Sequence, residues 1–480
     1  MFLTISKIVS AIMAIVGTTF IIPLSVALVY KETQAYMPFL IPMLSSWILF
    51  TFIFVLGRKK KIKLTAKSSF VVVALAWIVA SLFGAIPLYA SGAIKSITDA
   101  VFESFSGFTT TGSTILTEVE SLPRSINLWR CQTHWLGGMG IVALTVALLP
   151  ILGVGGFQLI KAETTGPEKG KLTPKIATTA KVLWFIYIAL TVTEAILLRI
   201  FGMDTVDAIS HAFSTLGTGG LSTRNASIGS YNSSAIDIIV TTFMFLGGIN
   251  FSMYYYLFTK KTEDIRNNSE LKVYISIVFI ACLSITLLEL NHYGSFFKSL
   301  RFSSFNAISI MSTTGFSTDD FTTWCPASQV IIFILFLIGG CSGSTSGGVK
   351  VIRWVILSKQ LHNEIQRMLH PQGIFTIRIN KRAGRKDVVF NVAAFFFVWG
   401  IIILALTFFA CCFGLDIFTS FTGALSMVGN IGPGFGSLGP SCNFSFLAAP
   451  VKWVYCIAML AGRLEFFTII VFLSPAFWKK

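Results

Sequence analysis

Ser104-Phe-Ser-Gly-Phe-Thr-Thr-Thr-Gly112-Ser-Thr decides the fold, because it occurs four times in altered form. The second copy reads His211-Ala-Phe-Ser-Thr-Leu-Gly-Thr-Gly219-Gly-Leu-Ser, the third Ser309-Ile-Met-Ser-Thr-Thr-Gly315-Phe-Ser-Thr and the fourth Ser426-Met-Val-Gly-Asn-Ile-Gly432-Pro-Gly. The central glycines lie 107, 96 and 117 residues apart. A single Thr-Gly segment reads as an ordinary loop turn. Four related segments, each with one long apolar stretch before it and one after, read as an internal repeat. The apolar run before each glycine is too short to cross a bilayer and suits a re-entrant half-helix. Hydrophobic residues stand seven and ten positions ahead of the glycine: Phe105 and Phe102, Ala212 and Ile209, Ile308 and Phe305. The fourth copy is weaker, with Leu425 but Thr422. Non-helical backbone at membrane depth survives only when buried in protein or lining an aqueous path, so four such segments fit around one axis.

Composition places these segments in a membrane. Of 480 residues, 54% are hydrophobic and 12% charged, against ~25% charged in soluble domains. That excludes a soluble enzyme, a disordered regulator and a fibrous protein. The net charge of +16 fits basic cytoplasmic loops better than a nucleic-acid surface. Eight Cys without a CxxC pair or metal-ligand spacing argue against a disulfide scaffold or a zinc site. A spanning helix needs ~20 mostly apolar residues, and ten stretches qualify: 8–30, 37–57, 68–91, 131–156, 180–201, 238–258, 273–293, 328–349, 388–413 and 451–474. The first is too long for a signal peptide and lacks its cleavage site. With both termini cytoplasmic, 27 of 37 Lys and Arg fall inside and nine outside, with Arg463 within a span, a strong positive-inside bias. The expected fold is an all-α polytopic membrane protein. A two-span preface (1–63) precedes four span–pore-helix–span repeats at 64–160, 161–262, 263–360 and 361–480, arranged with pseudo-fourfold symmetry around one central pore.

Thr-Thr-Gly resembles part of the K⁺-channel filter, in which carbonyl oxygens replace the water around a dehydrated ion. Glycine suits such a site because it has no side chain and reaches backbone conformations closed to other residues. A half-helix also points its partly negative C-terminal end at the ion. One chain would supply four quarters: Thr110, Thr111 and Gly112; Gly217, Thr218 and Gly219; Thr313, Thr314 and Gly315; Asn430, Ile431 and Gly432. Two further features depart from plain spans. Gly339, Gly340, Cys341, Ser342, Gly343, Ser344, Thr345, Ser346, Gly347 and Gly348 form either a Gly-rich turn or a flexible element below the third quarter, where a gate belongs; the spacing is not that of a phosphate-binding loop. Arg463 is a charge within a span. It is either half of a structural pair with a carboxylate, Glu465 being nearby, or a cation in the ion path. Glu194 and Glu289 read as solvated at the membrane interface, and His134 and His211 as packing or capping residues. Cys325 and Cys442 both lie outside, which permits a disulfide, but read as free thiols.

With these residues in view, the chain resembles the TrkH/TrkG membrane subunits of bacterial Trk K⁺-uptake systems, within the TrkH–KtrB–HKT superfamily. The four quarters, Cys341 to Arg353, Gly462-Arg-Leu-Glu465 and Pro167-Glu-Lys-Gly-Lys-Leu-Thr-Pro174 carry the likeness, which extends over essentially the whole chain. It implies K⁺ uptake across the bacterial inner membrane by a homodimer with one pore per protomer. It also implies a gate at Gly339–Gly348, Arg463 in the ion path and a cytoplasmic ring of TrkA, with the nucleotide bound on TrkA and no cofactor on this chain. Plant relatives with Ser at the first filter glycine favour Na⁺, so glycine in all four quarters implies K⁺. Gly217 and Asn430 depart from the Thr of the other quarters. A Na⁺- or H⁺-coupled K⁺ symporter is the alternative. A membrane enzyme is not, because no nucleophile, acid–base pair or metal cluster converges in the sequence.

Overall fold

The computed structural model describes residues 2–58, 65–140, 176–380, 382–383 and 386–479. The basic run at 59–61, the Pro167–Pro174 segment and the part of the expected fourth span beyond Gly140 lie outside the described residues. Within them the protein is an all-α polytopic membrane protein, apart from a two-residue ribbon pairing Arg378–Ile379 with Arg382–Ala383. Six helices are long and apolar enough to cross a membrane: Leu3–Tyr30, Thr33–Leu56, Lys67–Ala90, Thr178–Ile200, Ser269–Leu288 and Val388–Cys412. The first two form the preface. Each of the others opens a unit that continues with a half-helix, at Ile97–Phe108, Thr205–Gly217, Phe296–Met311 and Ile417–Gly429.

None of the remaining four expected spans is one continuous helix among the described residues. The second helices of the units are Arg124–Gly138, Ser234–Gly247, Pro326–Phe336 and Ala449–Arg463. The second of these turns through 92° into Phe251–Phe258. The third resumes only at Val351–Leu369, and the fourth at Phe467–Leu473. A pair of small residues stands at or just beyond each break: Gly137-Gly138, Gly247-Gly248, Gly339-Gly340 and Ala461-Gly462. Glycine weakens a helix interior, and here it also permits contact. A Cβ on Gly138 would lie 2.7 Å from Gly217 Cα, one on Gly247 3.2 Å from Thr218 Cγ2, and one on Gly462 2.8 Å from Asn430 Oδ1.

The second helix of the first unit begins at Arg124, not at the expected 131, because the polar residues ahead of 131 find partners inside the protein. Glu32 of the preface accepts the N–H groups of Arg124 (2.7 Å) and Ser125 (3.0 Å). Asn127 donates to Val119 O, Gln132 to Thr19 O and Trp129 Nε1 to Gly84 O. Phe20 packs edge-on against Trp129, with centroids 4.6 Å apart, which seats the preface on the first unit. Arg130 pairs with Glu103 of the first half-helix at 2.7 Å, with both side chains at most 1% exposed.

Removing one partner of a buried ion pair strands the other charge, so Arg130→Met is expected to cost ~3–5 kcal/mol. Arg124→Met breaks the half-exposed Arg124–Asp204 pair and is expected to cost under ~1 kcal/mol. Thermal unfolding of the two variants in one detergent measures the contrast.

Candidate functional site

Each half-helix stops on a residue in the left-handed conformation. Thr110, Thr218, Thr313 and Asn430 have φ of 56°, 52°, 56° and 51°. The next N–H then returns to the carbonyl of a serine five residues back: Thr111 to Ser106 (2.8 Å), Gly219 to Ser214 (2.9 Å), Thr314 to Ser309 (2.8 Å) and Ile431 to Ser426 (3.0 Å). This is the long-range bond of a Schellman turn, and it ends all four helices in one register. Left-handed backbone is ordinary for Asn but uncommon for a β-branched residue. Three threonines held in it mark the kind of local strain that clusters at functional sites.

That register corrects one expectation. The second quarter is Thr218-Gly219-Gly220 rather than Gly217-Thr218-Gly219. Gly217 is the last helical residue, in the place of Thr109, Ser312 and Gly429. Gly220 has φ 79°, beside 82° for Gly112, 82° for Gly315 and 103° for Gly432. Three glycines within four residues draw the match of Thr-Gly one position early. In the corrected register Thr218 stands where Thr110 and Thr313 stand, so only Asn430 departs.

The four quarters close into a ring. A Cβ on Gly112 would overlap the carbonyl oxygen of Gly219, one on Gly220 that of Thr314, and one on Gly315 that of Ile431. One on Gly432 would lie 2.8 Å from the carbonyl oxygen of Thr111. Each quarter thus rests its glycine on the next, and the fourth returns to the first. Serine hydroxyls steady the outgoing chain: Ser214 donates to Leu221 O, Ser309 to Phe316 O, and both Ser426 and Ser113 to Gly432 O, at 2.6–2.9 Å. Glu103 accepts from Thr114 and from the Ile115 N–H, which ties the first outgoing segment to its own half-helix. His211, within the second half-helix, bonds Ser222 and the Asp207 carbonyl.

The Gly339–Gly348 segment lies against the inner side of this ring. The Gly347 N–H donates to Thr313 Oγ1 (2.6 Å), and a Cβ on Gly347 would lie 2.9 Å from Asn430 Cβ. Thr345 donates to Gly247 O, the Cys341 N–H to Gly248 O and the Phe251 N–H to Gly343 O. Glu270 Oε1 accepts the N–H groups of Ser342 (2.6 Å), within the segment, and Ile352 (3.1 Å), in the helix that follows it. Arg463 donates to Thr345 O (2.8 Å) and to the Gly137 and Gly138 carbonyls (2.7 and 2.8 Å). It therefore joins the segment to the broken end of the first unit's second helix. Glu465 pairs with Arg353 at 2.6 Å.

Two other expectations change. Glu194 and Glu289 are buried, at 0% and 1% exposure, rather than solvated. Glu289 accepts the Cys325 N–H, and Glu194 lies beside Thr215 of the second half-helix. Cys325 and Cys442 are free thiols. Glu270 was not foreseen; its only signal in sequence is a carboxylate at the threshold of an apolar stretch.

A ring of four half-helices inside one helical chain, with an irregular segment beneath it, defines a multi-pass membrane protein built around a single axial site. The chain belongs to the TrkH family of cation transport proteins, which matches residues 41–480. It is 37% identical to the Trk system potassium uptake protein TrkH of Escherichia coli (strain K12), over all of both chains. It is 33% identical to the TrkG protein of the same strain, over 95% of each. The crystal structure of the potassium transporter TrkH from Vibrio parahaemolyticus is similar with a TM-score of 0.87 at 34% identity, covering 100% of each chain.

Gly220→Ala is expected to destabilise the protein more than Gly202→Ala. Both positions have positive φ, but a Cβ meets the Thr314 carbonyl at Gly220 and open space at Gly202. The backbone alone costs ~1–2 kcal/mol, which bounds the Gly202 change. Denaturation midpoints of the two variants, with Gly112→Ala beside them, test whether 112 and 220 behave alike.

Proposed function

We propose that this chain is the K⁺-conducting membrane subunit of a Trk-type uptake system in a bacterial inner membrane. The closed ring of four glycines, each resting on the next quarter's carbonyl, carries this reading. Backbone carbonyls gathered in a ring suit an ion stripped of water, and four helix C-termini add partly negative ends. The relatives reported above bear the names of potassium uptake proteins. On this reading the filter comprises Thr110, Thr111, Gly112, Thr218, Gly219, Gly220, Thr313, Thr314, Gly315, Asn430, Ile431 and Gly432. The segment from Gly339 to Gly348 is the gate, and Arg463 is both its latch and a positive charge below the filter. The protein works as a homodimer with one pore per protomer and both termini cytoplasmic. A TrkA-type cytoplasmic ring, carrying the nucleotide, moves the gate. One gate beneath a fixed filter favours channel-like passage over Na⁺- or H⁺-coupled symport.

Purified protein in liposomes is expected to pass K⁺ in preference to Na⁺, with a reversal potential that follows the K⁺ gradient at any pH. Gly112→Ser drives a Cβ into the Gly219 carbonyl and is expected to raise relative Na⁺ permeability about tenfold, equivalent to ~1.4 kcal/mol at the filter. A correctly folded variant with the wild-type ratio overturns the filter reading. A reversal potential that shifts with Na⁺ or proton gradient supports coupling instead.

Gly347→Ala and Arg463→Ala are expected to act on the gate rather than on selectivity. The first forces a methyl against Asn430; the second removes three bonds to carbonyls. Bonds to a charged group contribute ~1.5–3 kcal/mol each, so basal flux without TrkA is expected to rise about tenfold or more. Because Glu465 keeps Arg353, Arg463→Ala leaves that pair intact. Basal flux and TrkA response both at wild-type levels reduce the segment to a turn.

A further inference from the structure

His134 belongs to the second helix of the first unit, yet it is buried against the second quarter of the ring. A Cβ on Gly219 would fall within its imidazole, overlapping Cγ and Nδ1, and one on Gly217 would lie 2.6–2.7 Å from its backbone O and C. Its Nδ1 stands 3.2 Å from Ser214 Oγ, and the Leu221 N–H is directed at the same nitrogen at 3.4 Å. Ser214 in turn donates to Leu221 O at 2.6 Å. The ring therefore touches the end of the second half-helix, the backbone at Gly219 and the chain leaving Gly220.

In the other quarters the place of Gly219 holds a side chain: Thr111, Thr314 and Ile431. The first and third support it with a hydroxyl two residues back, Thr109 to Thr111 and Ser312 to Thr314, both at 2.8 Å. In the fourth, Ile431 folds over Gly429; a Cβ there would lie 2.9 Å from its Cδ1. The second quarter has glycine at both places. Gly219 is not in the left-handed region, and the three atoms nearest a Cβ there all belong to the imidazole, at 2.2–2.5 Å. We infer that His134 is a positioning residue of the filter: its ring, reaching across from the neighbouring unit, supplies the side chain that the second quarter lacks. Through Gly219 it sets the carbonyl on which Gly112 rests. This inference depends on the filter reading above.

A compensating exchange tests it. His134→Ala empties the space, Gly219→Ile overfills it, and the double variant rebuilds the arrangement of the fourth quarter. Each single change is expected to lower the K⁺/Na⁺ permeability ratio about tenfold and the melting temperature, whereas the double variant returns the ratio to within about threefold of wild type, as coupled neighbours do. A wild-type ratio in His134→Ala overturns the inference. So does a double variant no better than the worse single, whether it misfolds or folds without selectivity, and so does recovery of melting temperature without the ratio. Gly112→Ser is measured alongside. If it too leaves the ratio unchanged, the filter reading has failed; if it lowers the ratio while the His134 set does not, only the role of His134 has failed.

Discussion

Backbone that leaves the helix at membrane depth has no water to turn to, and an unpaired peptide group in hydrocarbon costs several kcal/mol. The protein meets this constraint four times over at the ends of its half-helices. A Schellman bond to a serine carbonyl closes each end, and serine hydroxyls take up carbonyls of the outgoing chain. The glycines let the quarters come close enough to shelter one another. Polar burial further out, such as Glu103 with Arg130, Thr114 and Ile115, serves the same end by fixing the segments that leave the ring.

The same economy explains Arg463. A helix that breaks inside a membrane exposes its last carbonyls, and a cation at that end satisfies them and the helix dipole together. The guanidinium does so for Gly137 and Gly138, and its third bond reaches Thr345 of the irregular segment. One side chain from the fourth unit thus caps a helix of the first and holds a loop of the third. Glu270 performs the complementary task as an acceptor for two N–H groups, one within that loop and one in the helix that follows it.

Much of this was legible in the chain itself. Six uninterrupted apolar stretches, four short apolar runs and the glycine that follows each run specify the helices and half-helices, because length and hydropathy decide whether a helix can span. The breaks in the second helices were not legible as such. Gly137-Gly138 and Gly247-Gly248 sit inside stretches apolar enough to pass as spans, and only the approach of another backbone shows why the side chains are missing. The register of the second quarter is hidden in the sequence for a related reason. Gly217, Gly219 and Gly220 look interchangeable in sequence, whereas their conformations separate them: Gly217 ends the helix, and of the other two only Gly220 has a positive φ. The burial of Glu194 and Glu289 depends on which helix face meets the next unit, which no single stretch of sequence records.

The quarters of this ring differ in what stands behind them: paired hydroxyls in the first and third, an isoleucine in the fourth, a borrowed imidazole in the second. A ring assembled from four identical polypeptides could not be furnished this way, since any replacement would be made at all four places at once. Joining the quarters in one chain frees each to drift on its own, so that a change is felt by a quarter of the circle and can be answered by a neighbour. The likeness among the four segments is therefore strongest in the backbone, which the circle holds in common, and weakest in the side chains, which each quarter has been free to settle for itself.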